Sequence, residues 1–183
     1  MTNNINSGSY AQYNDFDSLA YICVKYLMEN DEVIWKLLKY NDHEAWKKPD
    51  LTEAEKQALI YNGVDNTADS RVFLDIGQPD VLTAEICLIR VSPYSIFPEN
   101  RIVGTISMMF EVYSHYKINH LSNYKTRLDM VAKRFLQVFN GANIESGIGK
   151  LYFDRLGSES NRLENGGQLP FKGKWIIMSN KSP

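Results

Sequence analysis

Apolar positions recur along this chain with two different periods, and the change between them divides it. From Phe16 to Met28, the residues Leu19, Ile22, Cys23, Tyr26 and Leu27 follow helical spacing. Asp15, Asp17 or Ser18 is placed to accept from the free N–H groups of the first turn. Val33, Ile34, Leu37 and Leu38 give a second short helix with Asp31 as its cap, and Pro49 stops any continuation. Thr52-Glu53-Ala54-Glu55 has the form of a capping box, which predicts a third helix running to Asn62 and ending at Gly63. The first third is therefore read as helical.

Beyond it the period drops to two. Val72, Leu74 and Ile76 alternate with Arg71, Phe73 and Asp75, and Gly77-Gln78-Pro79-Asp80 supplies a turn. Leu82, Ala84, Ile86 and Leu88 predict a half-buried strand. Ser92-Pro93 and Phe97-Pro98 mark a connecting loop, because each proline biases its predecessor away from helix. Ile102, Gly104, Ile106, Met108, Phe110 and Val112 then line one face of a strand over Arg101–His115. At ~3.3 Å per residue that strand is about 50 Å long, enough to project beyond a compact sheet.

Tyr124–Asn140 is the strongest helix, with Leu128, Val131, Ala132, Phe135, Leu136 and Phe139 in one stripe. Ser122 or Asn123 is placed to open it and Gly141 to close it. Ile148–Asp154 and Lys174–Ser179 complete the strands, and the Gly- and Ser-rich stretch 156–173 between them reads as a long loop, of the kind that is usually functional or disordered. The expected fold is α+β: N-terminal helices, then a mainly antiparallel sheet of three strands, a long helix and two strands, with a long projecting hairpin. A polar arm over 1–14, a helical region over 15–64 and an α+β core over 65–183 form one compact domain with a helical appendage.

Composition adds little to this picture, but charge changes it. Hydrophobic residues make up 44% and charged residues 23%, the values of an ordinary globular domain. The overall net charge is −2, yet residues 1–70 carry 12 acidic and 6 basic side chains while residues 71–183 carry 10 and 14. A negative first part and a positive remainder suit head-to-tail contact between subunits or with a charged neighbour. Tyr10, Tyr13, Tyr21, Tyr26, Tyr40, Trp35 and Trp46 crowd the helical third, and aromatic rings with polar tips favour interfaces. The polar start lacks the basic-then-apolar pattern of a secretory signal. No stretch reaches the ~20 apolar residues of a membrane span, so a soluble protein with no membrane contact is expected.

Catalytic and cofactor patterns are each incomplete in this sequence. Gly141, Gly147, Gly149 and Lys150 evoke a phosphate loop, but Ile144 stands where its first glycine belongs and Leu151 where a hydroxyl should hold magnesium. Pro79-Asp80 with Glu85 resembles the acidic pair of a metal-dependent nuclease, but Cys87 occupies the position of the required lysine. His115 and His120 are five apart, a poor spacing for zinc ligands, and His43 is remote in sequence. Ser146 follows a helix, not the strand that a nucleophile elbow requires. Cys23 and Cys87 lie inside apolar patterns and read as buried thiols. The expectation is no catalytic residue, metal or cofactor, and a protein that works through its surfaces and not as an enzyme.

The element order from Arg71 to Ser179 resembles that of the neck and tail-completion (tail-terminator) proteins of tailed bacteriophages. In that comparison Arg101–His115 is the projecting strand and Tyr124–Asn140 the helix packed on the sheet. The resemblance implies a virion protein, assembled in the host cytoplasm as a closed ring of six or twelve copies. Adjacent connector or tail proteins would lie above and below, and DNA would pass through the lumen without sequence reading. It makes Met109, Glu111, Tyr113 and His115 candidates for an inter-subunit hairpin. Arg162, Lys172 and Lys174 become candidates for the lumen or for contact with the next ring. The competing expectation is a monomeric regulatory module that binds a ligand or partner through a strand edge or the aromatic helical third.

Overall fold

The computed structural model describes residues 18–64, 69–74, 84–98, 104–144, 149–162 and 168–180, with backbone alone for 98, 159–162 and 168–170. The polar arm 1–14, the turn 77–80, Leu82, residues 101–103, and Ser146 and Gly147 lie outside the described residues. The fold is α+β.

The helical third contains α1 (Leu19–Asn30), α2 (Val33–Lys39), a 3-10 turn (Ala45–Lys47) and α3 (Glu53–Ala58). Asp31 makes the corner between the first two helices. Its N–H returns to Leu27 O at 3.1 Å, and its carboxylate accepts from Ile34 N at 2.7 Å. The capping box of α3 forms as predicted: Thr52 Oγ1 accepts from Glu55 N, and Glu55 Oε2 accepts from Thr52 N at 2.9 Å. That helix ends four residues before Asn62 because tertiary pairing overrides its local pattern. Ile60 leaves it to bridge Val72, with Tyr61 N donating to Val72 O at 2.9 Å and Val72 N to Leu59 O at 3.0 Å.

The main sheet has the order β1-β2-β3-β7-β6, with β1 Val72–Phe73, β2 Cys87–Pro98, β3 Gly104–His115, β6 Tyr152–Arg162 and β7 Gln168–Ser179. Among the described strand pairs of this sheet the short β1–β2 contact is parallel and the others antiparallel. A second, two-stranded sheet joins β4 (Asn143–Ile144) to β5 (Gly149–Lys150). The fourth helix, α4 (Arg127–Phe139), crosses β3 and β7. Its predicted stripe is the buried one: Leu128, Val131, Ala132, Phe135 and Phe139 face the sheet, with Leu136 half-buried. Phe110 on β3 meets Phe139 at 4.5 Å and Phe135 at 5.4 Å between ring centroids. Each such buried ring contributes about 1.5–3 kcal/mol relative to exposure. Leu27, Trp35 and Leu38 belong to the same core, so the helical third packs directly on the sheet.

Several expectations change. The cap of α4 is Thr126, whose Oγ1 accepts from Asp129 N at 3.1 Å, not Ser122 or Asn123. Those two residues belong to a closed turn held by Leu121 N to Lys125 O and Arg127 N to Asn119 O. Gly141, at φ +79°, does end the helix. The prolines expected in a loop lie inside β2. Beyond Arg90 the outer side of β2 has no strand partner among the described residues, and a bulge falls between Pro93 and Ser95. An edge strand with a bulge tolerates the missing N–H.

The stretch read as a loop over 156–173 is largely the paired strands β6 and β7. Its two described glycines are covered across strands: Trp175 lies over Gly157, and Tyr113 over Gly173 at 2.7 Å from where a Cβ would stand. Two hairpins therefore project from opposite ends of the sheet. The β2–β3 hairpin outruns β7 by Gly104–Ile106 on β3, since Ser107 is the first β3 residue paired with β7. The β6–β7 hairpin outruns β3 past the His115–Phe171 pair.

Candidate functional site

The face of the sheet away from the helices carries the alternate residues of β3. Met109, Glu111, Tyr113 and His115 share it, as their spacing requires. They stand mid-sheet, between β2 and β7. Glu111 is buried between Arg90 and Trp175, accepting from Tyr113 Oη at 2.7 Å and lying 3.6 Å from Arg90 Nε. His115 is buried against Phe171, edge to face at 5.4 Å, and stacked on Tyr116 at 4.8 Å. Burial pushes its imidazole pKa down, which favours the neutral form. Arg155 of β6 bridges this face. Its guanidinium lies 5.7 Å from the Tyr94 ring of β2 and 6.0 Å from the Trp175 ring, and Nη2 donates to Tyr94 Oη at 3.3 Å.

The margins of the sheet are open. Strand β6 pairs only with β7, and β2 beyond Arg90 pairs only with β3 among the described residues. Three successive antiparallel pairings make β2 and β6 run in opposite directions. Both margins show apolar side chains: Phe153 (45% exposed) and Leu156 (44%) on β6, Tyr94 and Phe97 (64%) on β2. Exposed edges with apolar side chains invite pairing with another chain, although the bulges at 93/95 and 153/155 limit how flat each template is.

Of the three predicted cations, Lys174 reaches α4 and pairs with Asp129. Burial raises the Asp129 pKa, but hydrogen bonds from Lys174 and Thr126 outweigh it and hold the carboxyl below its usual range. Lys172 is exposed on the same side of β7. Arg162 closes β6 opposite Gln168, with its backbone alone described. Lys172 and Lys174 are thus neighbours.

Among the described residues no three His, Cys, Asp or Glu side chains converge as metal ligands. Cys23 and Cys87 are buried, and desolvation pushes both thiols up to about 12, which suppresses the reactive thiolate. The cleft between α1 and α3, about 410 Å³, is lined by Tyr21, Met28, Glu29, Leu51 and Glu53. Its buried cation, Lys56, is already bound by Met28 O at 2.8 Å and by Glu32.

The model of the family described as YomW matches residues 31–166, from the Asp31 corner through β6. The chain belongs to the YomW family. This family is phage-derived and similar to YomW of Bacillus phage SPBc2, so the chain is a phage type of protein. No curated protein matches it. The matched span leaves α1 and β7 outside, but contains α4 and both open sheet margins.

Two features of this YomW-family chain, Arg127 and Tyr124, escaped the pattern of its sequence. Arg127 opens α4 yet is fully buried, donating to Ile118 O at 3.1 Å, Tyr40 O at 2.8 Å, Asp42 O at 3.0 Å and Leu37 O. Tyr124 is fully exposed at φ +61°, the one non-glycine residue with positive φ among those described. Lys125 and Lys133 flank Asp129 at four residues on either side. A polar residue just before an apolar stripe is the only sequence signal that Arg127 gave. The lysines, by contrast, are legible in the helical pattern, which sets Lys125 and Lys133 with Asp129 as charge off the apolar stripe.

Proposed function

We propose that this chain is a virion component that forms a closed ring at the head–tail junction or at the tail end of a tailed phage. The pair of unpartnered sheet margins running in opposite directions carries the reading. Set side by side, β6 of one copy meets β2 of the next antiparallel, so the sheet continues across the junction without breaking its alternation. Such a heterologous contact closes into a ring when the rotation per copy divides a full turn. The phage-derived family supports the setting, and adjacent connector or tail proteins would meet the projecting hairpins.

Light scattering across a range of concentrations, with negative-stain imaging, tests this. Rings are expected from the unaltered chain. Phe153→Lys with Leu156→Lys should give monomers that melt at the same temperature, because both side chains are half-exposed already. A strict monomer, together with virions that assemble normally when they carry the double variant, would overturn the proposal. The cleft between α1 and α3 favours the second reading, a monomeric ligand-binding module, which saturable binding of a small molecule there would support.

A further inference from the structure

The helix-bearing side carries a groove whose rim keeps an excess of positive charge. It lies between α2, the 3-10 turn and α4 and encloses about 300 Å³, with Val33, Trp46 and Met130 as an apolar floor and Lys125, Lys133 and Arg134 around it. Each apolar member is half-buried, packed against the core yet reached by solvent. The floor is held in place: Ala45 beside Trp46 is fully buried, and Asn123 Nδ2 donates to Met130 Sδ at 3.7 Å. Around it, Arg134 pairs with Asp31 at 2.6 Å, and the carboxylate of the lining, Asp129, pairs with Lys174. Lys125 and Lys133 are exposed and have no acidic partner among the described residues. An apolar floor between two free ammonium groups suits an aromatic side chain with carboxylates close on either side.

The chain itself holds such a segment. Residues 1–24 contain no lysine, arginine or histidine, and their acidic residues, Asp15 and Asp17, enclose Phe16. In extended chain those two carboxylates stand about 7 Å apart, a span that lysines on flexible stems accommodate. The tether to α1 keeps the segment from the groove of its own copy. Tyr26 meets Phe139 at 5.8 Å, and Asp31, just past the end of α1, meets Arg134, so α1 runs towards the groove and Leu19 is its far end. The 12 residues of α1 set Leu19 about 17 Å back from that end. Phe16 is only about 10 Å of extended chain from Leu19.

We infer that the groove between α2 and α4 takes the Asp15-Phe16-Asp17 segment of a second copy. The Phe16 ring lies on Val33, Trp46 and Met130, and the carboxylates of Asp15 and Asp17 meet Lys125 and Lys133. This contact is separate from the pairing of sheet margins: a ring can close without it, and it can join copies whose margins stay open. The competing occupants are the same segment within one copy and an acidic stretch of another protein.

Fluorescence anisotropy of a labelled peptide of residues 9–18, titrated with the full chain carrying Phe16→Ala, reads the groove with its native occupant disabled. Saturable binding that weakens as salt rises is expected. K125E/K133E in the acceptor, or F16A in the peptide, should each weaken it by about tenfold or more. A peptide carrying D15K/D17K should regain affinity for the K125E/K133E acceptor, a rescue that a merely structural role of the lysines would not produce. Sedimentation across a range of concentrations gives the second reading: F16A should need about tenfold more protein than the unaltered chain to associate. Adding F153K/L156K to the acceptor should leave peptide binding unchanged, so failure of the ring and failure of this contact are told apart. No binding, binding indifferent to K125E/K133E, no rescue by the charge exchange, or equal association of F16A and the unaltered chain would overturn the inference. So would peptide binding together with an unaltered chain that stays monomeric at every concentration, which would assign the groove to one of the competing occupants.

Discussion

Replacing Arg127 with alanine should do more damage than any other single substitution at the start of α4. Its guanidinium sits at the junction of three segments and makes no salt bridge among the described residues, although the Asp42 carboxylate acts on it from farther away. Four carbonyl groups surround it: Leu37 and Tyr40 from the end of α2, Asp42 from the turn beyond, and Ile118 from the turn after β3. The last carbonyls of a helix have no partner within it, and a cation there also meets the negative end of its dipole. Burial lowers the pKa of Arg127, but an arginine so placed stays charged. Truncation strips all four carbonyls of this donor at once. An orphaned buried acceptor costs about 1–3 kcal/mol, but relaxation and water entry recover part of that, so the summed loss should be about 3–5 kcal/mol. For a chain of this size that corresponds to a fall in melting temperature of roughly 10 °C. Lysine at the same position should recover only a minority of the loss, because three donors on one nitrogen cannot span the four carbonyls. Urea unfolding followed by far-UV circular dichroism gives the comparison. A loss below about 1 kcal/mol for the alanine variant, with an unchanged dependence on urea, would refute the assignment of Arg127 as the tie between helices and sheet.

Two further substitutions probe the edges of the structure. Gly157→Val places a side chain inside the Trp175 ring; displacement of the indole should cost about 1–3 kcal/mol and shift tryptophan emission, and an unshifted spectrum would count against the cross-strand cover. Glu55 is held near 2, against an ordinary value of 4.5, by the hydrogen bond from Lys39 and then by those from Thr52. Its folded-state pKa is depressed, so its contribution is present above 4.5 and is lost as pH falls from there towards 2. The stability profile of Glu55→Gln should be flatter across that window, and an identical acid slope in both proteins would rule out the linkage.

What was legible in the sequence was local. The capping box at Thr52 and Glu55, the stripe of α4 and the alternation of β3 each depend on residues a few positions apart, so spacing alone revealed them. Features that depend on distant partners were hidden. Arg127 reads as a solvated charge until α2 delivers its carbonyls from about ninety residues away. The prolines of β2 mark a loop unless that strand is known to lie at a margin. Gly157 and Gly173 weaken a strand in isolation, and only the rings of Trp175 and Tyr113 restore the cover that a side chain would give. The face of Met109, Glu111, Tyr113 and His115 was legible from alternation, whereas their place between two partner strands was not.

The same cross-strand contacts bear on how an open margin could work. A last strand with one partner ordinarily frays, and a frayed edge must be ordered before it can pair. Here β6 is fastened from several directions. Trp175 lies on Gly157, Arg155 reaches Tyr94 across the sheet, and Phe153 N donates to Asn140 Oδ1 at 2.9 Å beyond the end of α4. Its neighbour β7 is tied to α4 through Lys174 and Asp129. These contacts hold the outward backbone groups of β6 in extended geometry while Phe153 and Leu156 stay half in water. Ordering that is already complete in the free subunit need not be supplied on association, so a modest edge contact suffices for stable pairing. In the proposed ring, loosening the fastening should therefore weaken assembly while leaving Phe153 and Leu156 in place: Arg155→Ala, which removes the bridge to Tyr94, should shift ring formation to higher protein concentration. Rings formed at the same concentration by this variant would show that the margin needs no such bracing.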